Sequence, residues 1–411
     1  MVFSGQTRRA LPCDLLAAER IASVCFEYPF DFDKDSQAFF EMRQGDAVLA
    51  RNRGDVCFMD RYVAEQDGRL VATLCATPYV VEMDGNEARM CGIGGVCTLP
   101  THRRSGAIRA MMNDMLNDEY QKGTEWSFLY PFSQAYYEMF GYALSEPDAV
   151  WSMSLRHIMP LKDGGYQFSL YDGDAEDISA YQCAYEGMSG YNMMVRRRLC
   201  DFTRIREANP YKTNHFAYLC RDAQGLPCGY AVWHKVVEKG QRIMEMSELI
   251  FDGLPTLLAI LNFATGLASD YDRVRFHAPY CLNLESICTD SVAGKLTREV
   301  ALCGMARIIH PENALRCTKL RGSGAASLLI TDPANGTRHA IGLSWRDGRL
   351  NDIGKTALPP DASLDMGTFS ALLLGRYDLV DCAGFHGMEI GDLCKLSGIF
   401  YRKHIHINNF F

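Results

Sequence analysis

Two adjacent arginines, Arg103 and Arg104, followed by Ser105 and Gly106, have the types and spacing that most directly imply chemistry. A guanidinium donates paired, charge-assisted hydrogen bonds to phosphate oxygens. Glycine lets a backbone approach a ligand closely. Immediately after this turn, Ala107, Ile108, Met111, Met112, Met115 and Leu116 recur at helical spacing, so the turn stands where a helix starts. The first N–H groups of a helix have no internal partners and lie at the positive end of its dipole. Arg103, Arg104, Ser105, Gly106, Ala107 and Ile108 together suit a pyrophosphate. An R-x-x-G quartet is common by chance, so its weight comes from the elements around it.

Those elements follow a definite order. Residues 70–83 read as a strand, Asp84-Gly85 as a turn, residues 93–99 as a second strand and Pro100 as the break before the basic turn. After the helix come residues 126–130 and the aromatic segment from Phe132 to Tyr142. This order resembles the GNAT family of acyl-CoA-dependent N-acyltransferases, departing at Ile108, where many members carry Gly or Ala. A narrower resemblance rests on V-x-x-x-P-x-H-R-R-x-G from Val96 to Gly106 and Y-x-x-F-G-Y from Tyr137 to Tyr142. Together with the length and the aromatic end Asn409-Phe410-Phe411, these motifs are similar to the enhanced intracellular survival (Eis) acetyltransferases.

The Eis resemblance implies a mixed α/β (α+β) chain of two tandem GNAT-like domains followed by a sterol-carrier-protein-like domain. The corresponding ranges are residues 1–146, 147–298 and 299–411. Residues 215–220, 229–236 and 243–251 read as strands, 257–267 as a helix opened by Pro255, and 273–277 as a strand. That order echoes the first domain. Phe251 to Pro255 replaces the arginine turn, so no acyl-CoA site is expected there. Residues 325–331 and 338–345 alternate like half-buried strands around a turn cluster at 332–336, while 366–374 and 390–396 suit helices. Residues 305–309 and 311–315 resemble the start of the last domain.

Acyl transfer from a thioester to an amine makes three demands. The carbonyl oxygen must tolerate negative charge, and a strand splayed at Val96, Cys97 and Thr98 would offer it backbone N–H groups. The departing thiolate needs a proton. Tyr136, Tyr137 and Tyr142 all compete for that role by spacing, because a phenol stays protonated at neutral pH. The family resemblance selects Tyr137 as general acid. The amine needs a base, and His102 is expected to face the phosphate turn rather than the thioester. By resemblance to Eis, the base is the C-terminal carboxylate of Phe411, entering the first domain's active site. The alternation His404 to Ile407 reads as a final strand delivering that tail, and His404 and His406, lacking a third ligand, read as strand-face histidines rather than a metal site.

The bulk composition agrees with a protein of this kind. The chain has 411 residues, 48% hydrophobic and 22% charged, which implies a globular protein of two to four domains. A net charge of −8 argues against nucleic acid and suits a cationic amine. Sixteen cysteines without C-x-x-C or zinc-ligand spacing read as reduced thiols. With no signal-peptide core and no 18-residue apolar run, a cytoplasmic protein without a membrane span is expected. The expected activity is acetyl-CoA-dependent N-acetyl transfer to primary amines of a small cationic substrate, aminoglycoside-like or lysine-like. Metal is not expected, and the resemblance implies a homo-oligomer, a hexamer. The competing reading is a lipid- or small-molecule-binding protein on a non-catalytic GNAT scaffold.

Overall fold

The turn Asp84-Gly85 has both residues in the left-handed region, φ 53° and 84°, and folds two long strands back on each other. These are β3 (Arg69–Met83) and β4 (Asn86–Thr98), paired antiparallel along almost their whole length. The computed structural model describes residues 3–31, 59–145, 147–162, 164–173, 178–292, 294–300, 304–382 and 388–409. Ahead of the hairpin come β1 (Gln6–Arg9), helix α1 (Leu15–Phe26) and β2 (Asp60–Gln66). After it come helix α2 (Ala107–Lys122), β5 (Trp126–Leu129), the short helix α3 (Gln134–Glu138) and β6 (Ala143–Leu144).

The hairpin lies within the first sheet, whose order is β1-β2-β3-β4-β5-β14-β6. Its strand β14 (Met305–Ile308) arrives from far along the chain, and all four of its residues are buried. Helix α2 lays Met111, Met112 and Met115 on the sheet, against Tyr62, Leu74 and Ile93. It stops at Gly123, φ 74°, whose N–H caps the last turn.

The second sheet, in order β13-β7-β12-β11-β10-β9-β8, is formed by β7 (Ala149–Ser154), β8 (Gln167–Leu170), β9 (Phe216–Arg221), β10 (Pro227–Glu238), β11 (Gln241–Phe251), β12 (Arg273–Ala278) and β13 (Leu296–Val300). Helices α4 (Ile178–Gly187) and α5 (Leu254–Thr265) belong to the same body. The third sheet, in order β17-β16-β15-β18-β19, is formed by β15 (Gly324–Thr331), β16 (Arg338–Arg346), β17 (Arg349–Lys355), β18 (Ala362–Asp365) and β19 (Met388–Ile390). It is accompanied by α6 (Pro311–Cys317) and α7 (Met366–Leu374).

The described chain is thus mixed α/β with three sheets, and its contacts divide it into two units. One unit contains residues 1–145, 191–195 and 304–411; the other contains 146–190 and 196–303. The first and third sheets therefore share a unit, and Trp126, Phe128 and Ile308 pack with Leu328, Phe369 and Phe400 in one core. Residues 305–308, read from sequence as the start of the last domain, serve as a strand between β5 and β6.

Two local expectations need correction. Residues 390–396 do not form one helix: β19 ends at Ile390, and only Leu393–Leu396 is helical. Asp392 caps that turn by accepting from Cys394 and Lys395 N–H. Residues 404–407 are not a strand either. They make one isolated bridge, Ile405 to Asn192, their backbone bonds going to the short segment around Asn192.

Candidate functional site

The site begins where two parallel strands part. β4 pairs with β5 only from Met90 opposite Trp126 to Ile93 opposite Leu129. From Gly94 onward β4 keeps β3 as its neighbour, and the register shifts so that Gly95 and Val96 face Leu74. This is a β-bulge, and Gly95 supplies its left-handed residue at φ 59°. The edge of β4 through Val96, Cys97 and Thr98 is consequently left without a described strand neighbour on the β5 side, so its backbone N–H groups on that edge have no ladder partner there. This is the kind of donor pair that a thioester oxygen requires.

Beyond Thr98 the chain makes a short turn and enters α2. Arg104 has φ 64° and Gly106 has φ 91°, so left-handed residues punctuate the turn just before the helix. Such alternation points successive N–H groups to one side and forms an anion-binding concavity. The Ser105 hydroxyl accepts from the Ala107 N–H at 3.4 Å. Val96, Cys97, Thr98, Arg103, Arg104, Ser105, Gly106, Ala107 and Ile108 all line one cleft of about 650 Å³. The lining includes the arginines at 103, 104 and 109, all exposed, and no carboxylate among the described residues. A polyanion entering here meets the positive charge of three arginines.

Four further cleft residues escaped the sequence reading: Cys25, Phe26, Arg109 and Phe132; Tyr136 and His102, both weighed there for other roles, line the cleft as well. Arg109 could have been found, since it lies three positions after Gly106 in the helix's first turn. Cys25 and Phe26 could not, because α1 reaches the cleft only through tertiary packing.

The tyrosines occupy different surroundings. Tyr137 is buried, 2% exposed, with its ring edge-on to Phe132 at 5.3 Å, Tyr136 at 5.4 Å and Tyr142 at 6.1 Å. Tyr136 is half-buried and lines the cleft. Burial pushes both phenols above their ordinary value, so both remain protonated at neutral pH. The Tyr142 hydroxyl is engaged with Ser127 Oγ at 2.7 Å. Phe410 and Phe411 lie outside the described residues. The carbonyl of Asn409 accepts from the Tyr130 hydroxyl at 3.0 Å, so the chain two residues before Phe411 is held one residue past the end of β5. His406 is buried and its N–H donates to the Asn192 carbonyl at 3.0 Å, while the His404 carbonyl accepts from Asn192. Among the described residues, no group of three or more His, Cys, Asp or Glu is placed to hold a metal ion.

The second sheet repeats the parting. β11 pairs in parallel with β12 only as far as Met246 opposite Phe276, and it bulges at Ser247. Just beyond, Glu248 is bound to Arg197 at 2.6 Å, both side chains buried. The Arg197 guanidinium sits over the Tyr185 ring at 4.4 Å. The helix that follows starts at Leu254 with no arginine from Phe251 to Pro255.

Comparison with known proteins now adds to this geometry. Residues 14–145 match the acetyltransferase (GNAT) domain, so the chain carries an acetyltransferase domain on the elements that build the cleft. No curated protein matches the sequence. Among solved structures, a probable N-acyltransferase of unknown function from Enterococcus faecalis V583 is similar, with TM-score 0.82 and 17% identity, over 99% of this chain and 100% of that one. A GCN5-related N-acetyltransferase from Anabaena variabilis has TM-score 0.80 and 18% identity, over 99% and 100% of the two chains. Eis1 from Mycobacterium abscessus has TM-score 0.75 and 15% identity, over 99% and 100%. At these identities the likeness is one of fold. No described helix is long and apolar enough to cross a membrane.

Proposed function

We propose that this protein transfers the acetyl group of acetyl-CoA to a primary amine of a small cationic substrate, aminoglycoside-like or lysine-like. The observation that carries the proposal is the single cleft joining the arginine turn at the start of α2 to the bulged, unpaired edge of β4. The turn at Arg103 to Ile108 takes the pyrophosphate, and the acyl arm runs along Thr98, Cys97 and Val96 toward the parting of β4 and β5.

The reaction is direct transfer. The amine attacks the thioester carbonyl, and backbone N–H groups around Val96 to Thr98 bear the charge of the tetrahedral intermediate. The intermediate collapses with departure of the thiolate, to which Tyr137 gives its proton. The Phe411 carboxylate is the proposed base; the hold of Tyr130 on Asn409 at the end of β5 supports a tail that approaches this opening. The second sheet binds no acyl-CoA on this reading, because its turn lacks arginines and the residue just past its bulge, Glu248, is committed to a buried ion pair with Arg197. The third sheet and its helices are proposed as a sterol-carrier-protein-like domain, and the whole as a cytoplasmic homo-oligomer, a hexamer, both on resemblance.

The test is acetyl-CoA turnover, followed as free thiol release, over a panel of aminoglycosides, polyamines and lysine peptides. Calorimetry on the same protein should give one acetyl-CoA per chain. The double variant Arg103→Ala, Arg104→Ala should bind it about 10–100-fold more weakly, having lost two charge-assisted phosphate contacts. Unchanged affinity in the folded double variant would remove the turn from the site. Binding without turnover on any amine would instead favour a scaffold that carries a ligand without catalysis.

A further inference from the structure

We propose that Cys25 and Cys97 form a dithiol modification site in the wall of this cleft, which the disulfide of a CoA-type thiol converts into an intramolecular disulfide. The proposal rests on reading the cleft as an acyl-CoA site. Both cysteines line it. Cys25 lies in the last turn of α1, half-buried, and its S–H donates to the Thr98 carbonyl at 3.2 Å. Cys97 precedes Thr98 on β4, is 7% exposed, and packs with Ile21 and Ala22 of the same helix. Cys25 packs against the same small cluster of Ile21, Ala22 and Cys97. Two thiol-bearing side chains therefore share one packed cluster at the seam between α1 and β4, in the wall of the cleft that also holds the arginine turn.

The chemistry needs no oxidant beyond the disulfide named. The Cys25 thiolate attacks one sulfur of CoA disulfide; a Cys25–CoA bond forms, the CoA S–S bond breaks, and one CoA leaves as a thiolate that recovers the proton. Cys97 then attacks the Cys25 sulfur, the Cys25–Cys97 bond forms, and the second CoA leaves with the proton from Cys97. Two electrons pass from the two cysteines to CoA disulfide, which is reduced to two CoA thiols. The order follows from access. Cys25 is the more exposed of the pair, whereas burial holds the Cys97 thiol well above its ordinary value. The arginine turn concentrates a disulfide that carries several phosphate charges at this spot and does much less for glutathione disulfide, a dianion without phosphates. Either product occupies or staples the wall along which the acyl arm runs, so acetyl-CoA is excluded until the bond is reduced.

The experiment treats the reduced full-length protein with CoA disulfide or with glutathione disulfide at equal concentration, then alkylates and reads each cysteine by mass spectrometry. The exposed Cys13, Cys183, Cys281 and Cys394 serve as internal references. The expected result is a Cys25–CoA adduct or a Cys25–Cys97 disulfide appearing about tenfold faster with CoA disulfide, and ahead of the exposed thiols. Acetyl-CoA binding should be lost with it and return on reduction, while Cys25→Ser, whatever its affinity before treatment, should show the same affinity after it. Reaction of Cys25 and Cys97 no faster than Cys13, or equal rates with the two disulfides, overturns the proposal. Failure of the acyl-CoA reading shows separately, as absence of acetyl-CoA binding to the untreated, reduced chain. If Cys25→Ser does not fold, Cys25→Ala carries the same comparison.

Discussion

Tyr136 and Tyr137 carry the same phenol one residue apart, yet one lines the cleft and the other is enclosed by Phe132, Tyr136 and Tyr142. A proton donor benefits from burial, since removal from water disfavours the phenolate and keeps the proton available. Tyr137→Phe is expected to fold, to bind acetyl-CoA with unchanged affinity and to lose on the order of 10²–10⁴-fold in kcat. Steady-state kinetics with calorimetry checks this. Full activity in Tyr137→Phe together with a large loss in Tyr136→Phe would transfer the role to the residue that faces the cleft. The spacing of these tyrosines left them equivalent, and only the packing of α3 separates them.

At the scale of elements, the site depends on a strand that pairs at one end and parts at the other. Gly95 makes that possible by adopting φ 59° at the bulge, with Cys75 close enough that an added Cβ would lie 3.3 Å from its sulfur. Gly95→Ala is expected to cost about 1–2 kcal/mol from the left-handed backbone alone. The loss should appear as a lower melting temperature, with kcat falling more than acetyl-CoA affinity, because the bulge rather than the arginine turn is disturbed. An unchanged melting temperature and kcat would mean that the bulge adjusts to a side chain without consequence. The bulge itself was legible only in part: glycines at 94 and 95 signal an irregular strand, but which neighbour β4 loses is a matter of register with β5.

At the scale of the molecule, the unit that carries the site is tied together at a junction where distant segments meet. Asp84, at the hairpin tip, accepts from Lys403 Nζ at 2.6 Å, from Asn192 Nδ2 at 3.0 Å and from the Lys319 N–H at 2.9 Å. Lys403 also donates to the Leu373 carbonyl at 3.1 Å, and both charged side chains are nearly fully buried. Lys403→Met would strand a buried carboxylate, an expected loss of about 3–5 kcal/mol measurable by denaturant unfolding. The pH dependence has a definite sign. Burial lowers the Lys403 ammonium below its ordinary value despite the opposing pull of Asp84. Between that lowered value and an ordinary lysine value near 10.4, the unfolded chain holds the proton that the folded chain has released, so stability rises with pH across this window. The rise should be present in the wild type and absent from Lys403→Met. A variant as stable as the wild type at every pH would show that the junction contributes nothing.

The sequence by itself determined the elements whose signals are local. The hairpin about Asp84-Gly85, the arginine turn opening a methionine-striped helix, and the strand–strand–strand–helix–strand order of the second region all follow from turn residues and apolar period. The nine residues expected to bind the cofactor were chosen from one contiguous run, and contiguity is why they share a cleft. Tertiary structure decided whatever depends on pairing between remote segments. No local signal could send residues 305–308 between β5 and β6, since a four-residue apolar run fits any buried strand position. Nor could one lift residues 191–195 out of the second unit to bond with Glu82 and the tail. Cys25 reached the cleft the same way, carried by a helix whose docking on β4 is set by shape and burial, and these are properties of surfaces that exist only after the chain has folded.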